Sequence, residues 1–180
     1  MIFTKTELYD AWIIEPEPAD DIRGFFARTF CEREFTKNGL ETQFVQHSVS
    51  GNRHAGTLRG MHFQVKQHAE VKVVTCVKGA IFDVIIDLRP QSAQFCKWQA
   101  IKLSEKNRRR LYVPKGFAHG FQTLCDECEI HYMISEFYCP GSSSGVRYDD
   151  PAFAIGWPLP ANIISKKDRS WPNFSQQHQP

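Results

Sequence analysis

The chain has 180 residues, 42% of them apolar and 23% charged, which suits one domain large enough to bury most of the surface its unfolded chain would expose. Lys and Arg number 22 against 20 Asp and Glu; this balance lacks the footprint of a general nucleic-acid binder, although a local basic cluster can still hold phosphates. No apolar run approaches the roughly 20 residues of a membrane helix, and no charged segment followed by an apolar one opens the chain, so the expectation is a cytoplasmic protein with neither a nucleic-acid nor a membrane partner.

In chain order, Ala11 to Glu15 reads as a short strand closed by Pro16 and Pro18, which cannot donate to a ladder. Asp20 to Phe30 reads as a turn feeding an aromatic-rich strand, and Cys31 to Gly39 as the one convincing helix, about two turns ended by glycine. From Gln43 onward, short β-type runs follow one another: Gln43 to Val49, Thr57 to Phe63, Val71 to Val77, Ile81 to Leu88, Lys97 to Leu103, Arg110 to Val113, His119 to Leu124 and Glu129 to Phe137. That spacing predicts an all-β sandwich or barrel. Val77-Lys78-Gly79-Ala80-Ile81 carries the signal of a tight hairpin. Residues 146–172 are irregular and proline-dotted, read as a segment packed back over the barrel, with a frayed polar tail from about residue 173. No repeat or linker divides residues 1–180, so they form a single domain.

The stretch Thr57-Leu58-Arg59-Gly60-Met61-His62-Phe63-Gln64 is the expected centre of the chemistry. Alternation puts His62 and Gln64 on one strand face, with Arg59, Met61 and Phe63 on the other. If the first face lines a pocket, an imidazole is aimed into it, and His62 is the expected reactive group. Six cysteines (Cys31, Cys76, Cys96, Cys125, Cys128 and Cys139) are expected as free thiols. Cys125-Asp126-Glu127-Cys128 is a lone CxxC without a second pair at zinc-ribbon spacing, read as two strand-end cysteines in preference to zinc ligands.

Gly60 to Gln64 with Glu70 and Gly79, and Pro114-Lys115-Gly116-Phe117-Ala118-His119-Gly120, resemble the paired signatures of the cupin superfamily. The resemblance implies a double-sheet jelly-roll barrel with a few short helices. Metal-dependent cupins offer two histidines in the first signature; here Gln64 takes the second place, and an amide oxygen is a poorer ligand than imidazole. His62, Glu70 and His119 could still be assembled into a two-histidine, one-carboxylate iron site. The other reading makes Glu70 a surface residue after a loop and His119 a hydrogen-bonded pocket residue.

A closer resemblance covers nearly the whole chain. Asp21-x-Arg23-Gly24-Phe25-Phe26, Phe44-Val45-Gln46, Gly56 to Gln64, Lys72-Val73-Val74, Phe82 to Arg89, Val113 to Phe121, Arg147 to Pro151 and Ser165-Lys166-Lys167-Asp168 look like the dTDP-4-dehydrorhamnose 3,5-epimerase family. The resemblance implies an isomerase, free of metal and of any other cofactor, that acts on a nucleotide-linked 4-keto-6-deoxyhexose in rhamnose-type deoxysugar biosynthesis. Such a reaction removes a proton beside the keto group and returns one to the opposite face. It therefore needs a base, an acid, and positive charge or donors at the enolate oxygen.

On this resemblance His62 is the base, Asp168 the carboxylate that orients it, and Tyr132 the acid, since a phenol keeps its proton to a pKa of roughly 10. Lys72, a charge on an otherwise apolar strand, is a partner for the keto oxygen. Arg23, Arg59 and Lys167 match positions that contact the nucleotide diphosphate, Gln46 and His119 positions that hydrogen-bond the substrate, and Phe26 one that stacks at the site. Tyr138, an even six residues beyond Tyr132, is a further sugar or phosphate contact. Arg23 and Phe26 reach the neighbouring subunit's site in this family, so a homodimer with strand exchange is implied.

Arg28 stands where many relatives carry glutamate, Ser143 replaces a frequent acidic contact to the nucleotide, and the connection from Gln46 to Leu58 is one residue longer. Three other readings remain at this stage: a sugar-nucleotide 3,4-ketoisomerase on the same scaffold, an iron-dependent cupin dioxygenase, and a sugar-nucleotide binding protein without catalysis.

Overall fold

A computed structural model describes residues 1–174. Its strands are β1 (Ile2–Lys5), β2 (Trp12–Glu15), β3 (Ala19–Asp21), β4 (Gly24–Phe26), β5 (Gln46–Asn52), β6 (Thr57–Gln64) and β7 (Lys72–Lys78). They continue as β8 (Ala80–Asp87), β9 (Trp98–Ser104), β10 (Arg110–Val113), β11 (Phe117–Thr123), β12 (Cys128–Ile134), β13 (Ser143–Gly145) and β14 (Ile163–Ile164). Two short helices, α1 (Glu32–Lys37) and α2 (Lys166–Arg169), complete the α-helical content of the described residues. The expected helix thus forms, and Gly39, with φ of 69°, takes up the left-handed turn beyond it.

One six-stranded sheet runs β1-β2-β10-β7-β12-β5, the other β13-β6-β11-β8-β9 with β14 pairing in parallel to β6. The all-β expectation holds, but the two sheets are not closed into a barrel: they pack face to face. Val74, Leu111 and Ile130 from the first sheet meet Ile81, Ile85 and Phe121 from the second, each side chain contributing about 1.5–3 kcal/mol on full burial. The outer face of the first sheet, with Val73 of β7, Met133 of β12 and the adjoining Val71, is covered by Phe35 of α1.

Residues 146–157 fold back as expected, laying Val146, Phe153 and Ile155 over Met61, Val84 and Ile86 on the outer face of the second sheet. At the start of the tail expected to fray, Phe174 packs on Phe153 with ring centroids 5.2 Å apart; residues 175–180 of that tail lie outside the described residues.

Two sequence readings change. Gly79, with φ of 79°, does not close a hairpin: β7 pairs with β10 and β12, whereas β8 pairs with β11 and β9, so the chain turns there from one sheet into the other. The second change concerns the face of Arg59. Between the partner pairs His119 with His62 and Phe121 with Arg59, β6 spends three steps where β11 spends two. This bulge reverses the alternation and brings Arg59 to the same inner face as His62.

Gly60 sits in the bulge with φ of 142°, and a Cβ there would lie 2.6 Å from the Cα of Gly120. Gly60→Ala therefore meets both an unfavourable backbone angle and a neighbour that is itself backbone. We expect it to destabilise the fold by about 3 kcal/mol or more, measured as a lower urea midpoint at unchanged slope.

Candidate active site

The inner faces of the two sheets leave a cavity of about 620 Å³, a size suited to a sugar nucleotide or a comparable ligand. The first sheet contributes through strict alternation. In β7 the inward series Cys76, Val74, Lys72 ends in a charge, and in β12 the inward series Ile130, Tyr132, Ile134 runs toward the cavity. Gln46 lies opposite Ile134 and lines the cavity as well. The second sheet contributes Arg59 and His62.

His62 Nε2 lies 2.7 Å from Asp168 Oδ1, across 106 residues of sequence. Asp168 arrives there because β14 adds to β6 and hands the chain to α2, where the Ser165 side chain caps the Asp168 amide at 3.0 Å. Burial pulls the Asp168 carboxyl upward, but the hydrogen bond and charge of His62, with smaller help from Gly60 and Ser165, outweigh it and hold the group below its ordinary value. With Nε2 committed to the carboxylate, Nδ1 is the ring nitrogen left to take a proton, and the side chain is 40% exposed toward the cavity.

A folded pKa below the unfolded one means that Asp168 contributes stability in full above the ordinary carboxylate range and loses it as pH falls through the lower folded value. Asp168→Asn is expected to flatten the acid limb of the stability curve below about pH 4, read from urea unfolding at stepped pH. An unchanged limb would mean that the pair contributes nothing to acid stability.

Lys72 is held by Glu70 at 2.9 Å and by the His62 carbonyl at 3.4 Å. Glu70 Oε2 is buried without a protein partner. This corrects the surface reading of Glu70: its side chain is 6% exposed and lines the cavity. The iron-site alternative also fails on geometry, because Glu70 holds Lys72, His62 holds Asp168, and His119 holds Asp83 at 2.7 Å. Among the described residues no three His, Cys, Asp or Glu side chains converge as a metal site.

Arg59, Gln46, Tyr138, Ser143 and Lys167 line the cavity, as expected for a binding wall. Arg59 donates to Asn52 Oδ1 at 2.7 Å, Lys167 to Ser143 Oγ at 3.3 Å, and the Tyr138 amide to Gln46 Oε1 at 2.6 Å. Tyr132, half-buried, sits on β12 two residues before the cavity-lining Ile134, and His119 is buried beside it. His119 is the cross-strand partner of His62, and its ring meets Tyr132 edge-on at 6.3 Å. Burial pushes the Tyr132 phenol well up, Asp83 adds to this and Arg59 opposes it, so the ring carries its proton at neutral pH.

Arg23 and Phe26 do not border the cavity of their own chain. Both sit on the β3–β4 hairpin, where Arg23 pairs with Asp21 and Phe26 is 79% exposed. Arg28 pairs with Glu34 at 3.3 Å.

Asp83 and Asn52 were missed as site residues. Asp83 had a signal: a carboxylate amid the otherwise apolar run Ala80–Ile86 must find a partner. Asn52 had none, since an asparagine at a strand end reads as an ordinary turn residue.

Fold and site together define a cupin-type double-sheet protein whose cavity carries a histidine–carboxylate pair and a lysine suited to moving protons beside a carbonyl. A family model described as dTDP-4-dehydrorhamnose 3,5-epimerase matches residues 5–176. The chain is 47% identical over 172 residues to the enzyme of that name from Methanothermobacter thermautotrophicus, covering 94% of this chain and 92% of the relative.

A Bacillus anthracis epimerase of the same name, solved with TDP and PPi bound, superposes with a TM-score of 0.94 at 41% identity, covering 96% of this chain and 99% of its own. A Legionella pneumophila 3,5-epimerase, solved with dTDP-4-keto-L-rhamnose, gives 0.87 at 37% identity, covering 93% and 89%. The chain belongs to the dTDP-4-dehydrorhamnose 3,5-epimerase family.

Proposed function

We propose that this protein inverts carbons 3 and 5 of a dTDP-linked 4-keto-6-deoxyhexose, the step that leads to a rhamnose-type deoxysugar. The single observation that carries the reading is the 2.7 Å contact of His62 with Asp168 at the edge of a cavity that also holds the Lys72 ammonium. His62 Nδ1 takes the proton from the carbon beside the keto group, and Asp168 stabilises the imidazolium that results. Lys72 neutralises the charge that gathers on the keto oxygen. Tyr132 returns a proton from the opposite sheet, and the cycle is repeated at the second carbon. Arg59, Lys167 and Ser143 hold the diphosphate end, with Gln46 and Tyr138 along the sugar and base; His119, buried and held by Asp83, acts instead by positioning the Tyr132 ring.

Incubation with the dTDP-linked 4-keto-6-deoxyhexose in deuterated water tests this reading. Deuterium at both carbons with inversion is expected. Label at one carbon only would reduce the activity to mono-epimerisation, label with a moved carbonyl would indicate ketoisomerisation, and no label would end the proposal.

The same reading makes the protein a homodimer in which the β3–β4 hairpin completes the partner's site. Ile22 and Phe26 stand out on that hairpin almost fully exposed, as expected of a segment that packs on another surface. Mixing inactive Arg23→Ala with inactive His62→Ala subunits should restore up to about a quarter to a half of the sites' activity, since hybrid dimers own one intact site. Monomeric protein, or no recovery on mixing, would refute the exchange.

A further inference from the structure

Of the described thiols, Cys125 and Cys128 are the pair that the proposed chemistry leaves unused and the fold nevertheless sets face to face, with Sγ atoms 3.5 Å apart. Cys125 is exposed and Cys128 fully buried. The turn between them is pinned at both inner residues: the Ala55 amide donates to Asp126 Oδ1 at 2.7 Å, and the Glu127 amide to the Arg53 carbonyl at 3.2 Å. Gly79 leaves the sulfurs their room, since a Cβ there would lie 2.6 Å from Cys128 Sγ and 2.9 Å from Cys125 Sγ.

The pinned turn also reaches the cavity. Cys128 is the register partner of Asn52, and its carbonyl accepts from Asn52 Nδ2 at 3.3 Å; the other end of that amide holds Arg59 Nε at 2.7 Å. A shift of Cys128 is therefore passed through one side chain to a guanidinium on the cavity wall.

We propose that Cys125 and Cys128 form a modification site, oxidised by a peroxide to an intrachain disulfide that loosens Arg59 and weakens nucleotide binding. The accessible Cys125 sulfur, as thiolate, attacks one peroxide oxygen; the O–O bond breaks, the leaving hydroxide is protonated to water, and Cys125 becomes a sulfenic acid. The Cys128 sulfur attacks that sulfur, its proton joins the departing hydroxide as a second water, and the S–S bond forms. Two thiols lose two electrons and the peroxide gains them. Bringing the sulfurs from contact to a bond length near 2.05 Å reshapes the turn at Cys128, whose carbonyl holds Asn52. The cavity end of the proposal rests on the epimerase reading, whereas the disulfide does not.

The test compares reduced and peroxide-treated full-length protein by thiol alkylation with peptide mass mapping, and by calorimetric titration with dTDP. The expected result is a peptide containing both cysteines, unalkylated and two hydrogens lighter, restored by dithiothreitol. It should come with a Kd for dTDP raised about threefold, the size of a weakened hydrogen bond to a charged group. Cys125→Ser should bind dTDP like the reduced protein before and after peroxide.

Cysteines that remain alkylatable, a bridge to Cys76 in place of this pair, or equal affinity in both forms would overturn the proposal. If the reduced protein bound no dTDP, the epimerase reading of the cavity would fall, while the mass map would still decide the cysteine pair.

Discussion

Replacing His62 with alanine is expected to lower the epimerisation rate by about a thousandfold or more, the upper part of the range for loss of a positioned general base. The same change should remove solvent deuterium uptake at both sugar carbons, because the proposed mechanism uses one imidazole as base for each. The fold should survive. His62 is 40% exposed and contributes no core volume, and Asp168 keeps the Gly60 amide at 3.4 Å and the Ser165 cap. A melting temperature close to that of the parent, with catalysis gone, would separate lost chemistry from lost structure. Uptake of deuterium at an undiminished rate would remove His62 from its role and with it the mechanism.

His62 was legible because an imidazole in an alternating strand announces a face, and strands keep that promise over two residues. Arg59 shows where the promise fails. It lies three positions from His62, and simple alternation sends it to the other side; the bulge at Gly60 adds one step and returns it. A glycine inside a strand is the usual mark of such a step, so the signal was present but could not say which way the chain would bend.

Gly79 shows a related limit. The residues that let a chain reverse are the same whether the next strand pairs with the last or crosses to the facing sheet, and only the tertiary packing of β7 against β10 and β12 decides. Asp168 is the opposite case, since its position 106 residues from His62 had no local signature and came from family resemblance alone. What makes the contact is a two-residue parallel strand, Ile163–Ile164, too short to show a period. The exposed hairpin at Ala19–Phe26 reads locally as a turn and a strand, and only the family resemblance points its exposed Phe26 ring toward a second subunit.

The acid is separable from the base by a different experiment. Tyr132→Phe is expected to slow product formation by about a hundredfold to ten thousandfold, while deuterium exchange into unreacted substrate continues. The reason is geometric. His62 belongs to the second sheet and Tyr132 to the first, so in the proposed mechanism the two address the sugar from opposite sides.

Without the phenol, the proposed mechanism still forms the enolate with His62 as base and Lys72 at its oxygen, but the only acid at hand is the His62 imidazolium, whose 40% exposed ring trades its proton for solvent deuterium and delivers that to the face the first proton left. Washout with retained configuration is then the dominant event. The substitution also leaves little structural debris, because among the described residues no protein group hydrogen-bonds the Tyr132 hydroxyl, and the ring itself stays packed edge-on to His119 at 6.3 Å. Burial keeps that phenol protonated across the working pH range. The residual rate of the variant should accordingly follow the base alone, with no alkaline fall that depends on residue 132. Loss of exchange and inversion in equal measure would show instead that Tyr132 is needed to form the enolate, and would assign it to the carbonyl oxygen in place of carbon.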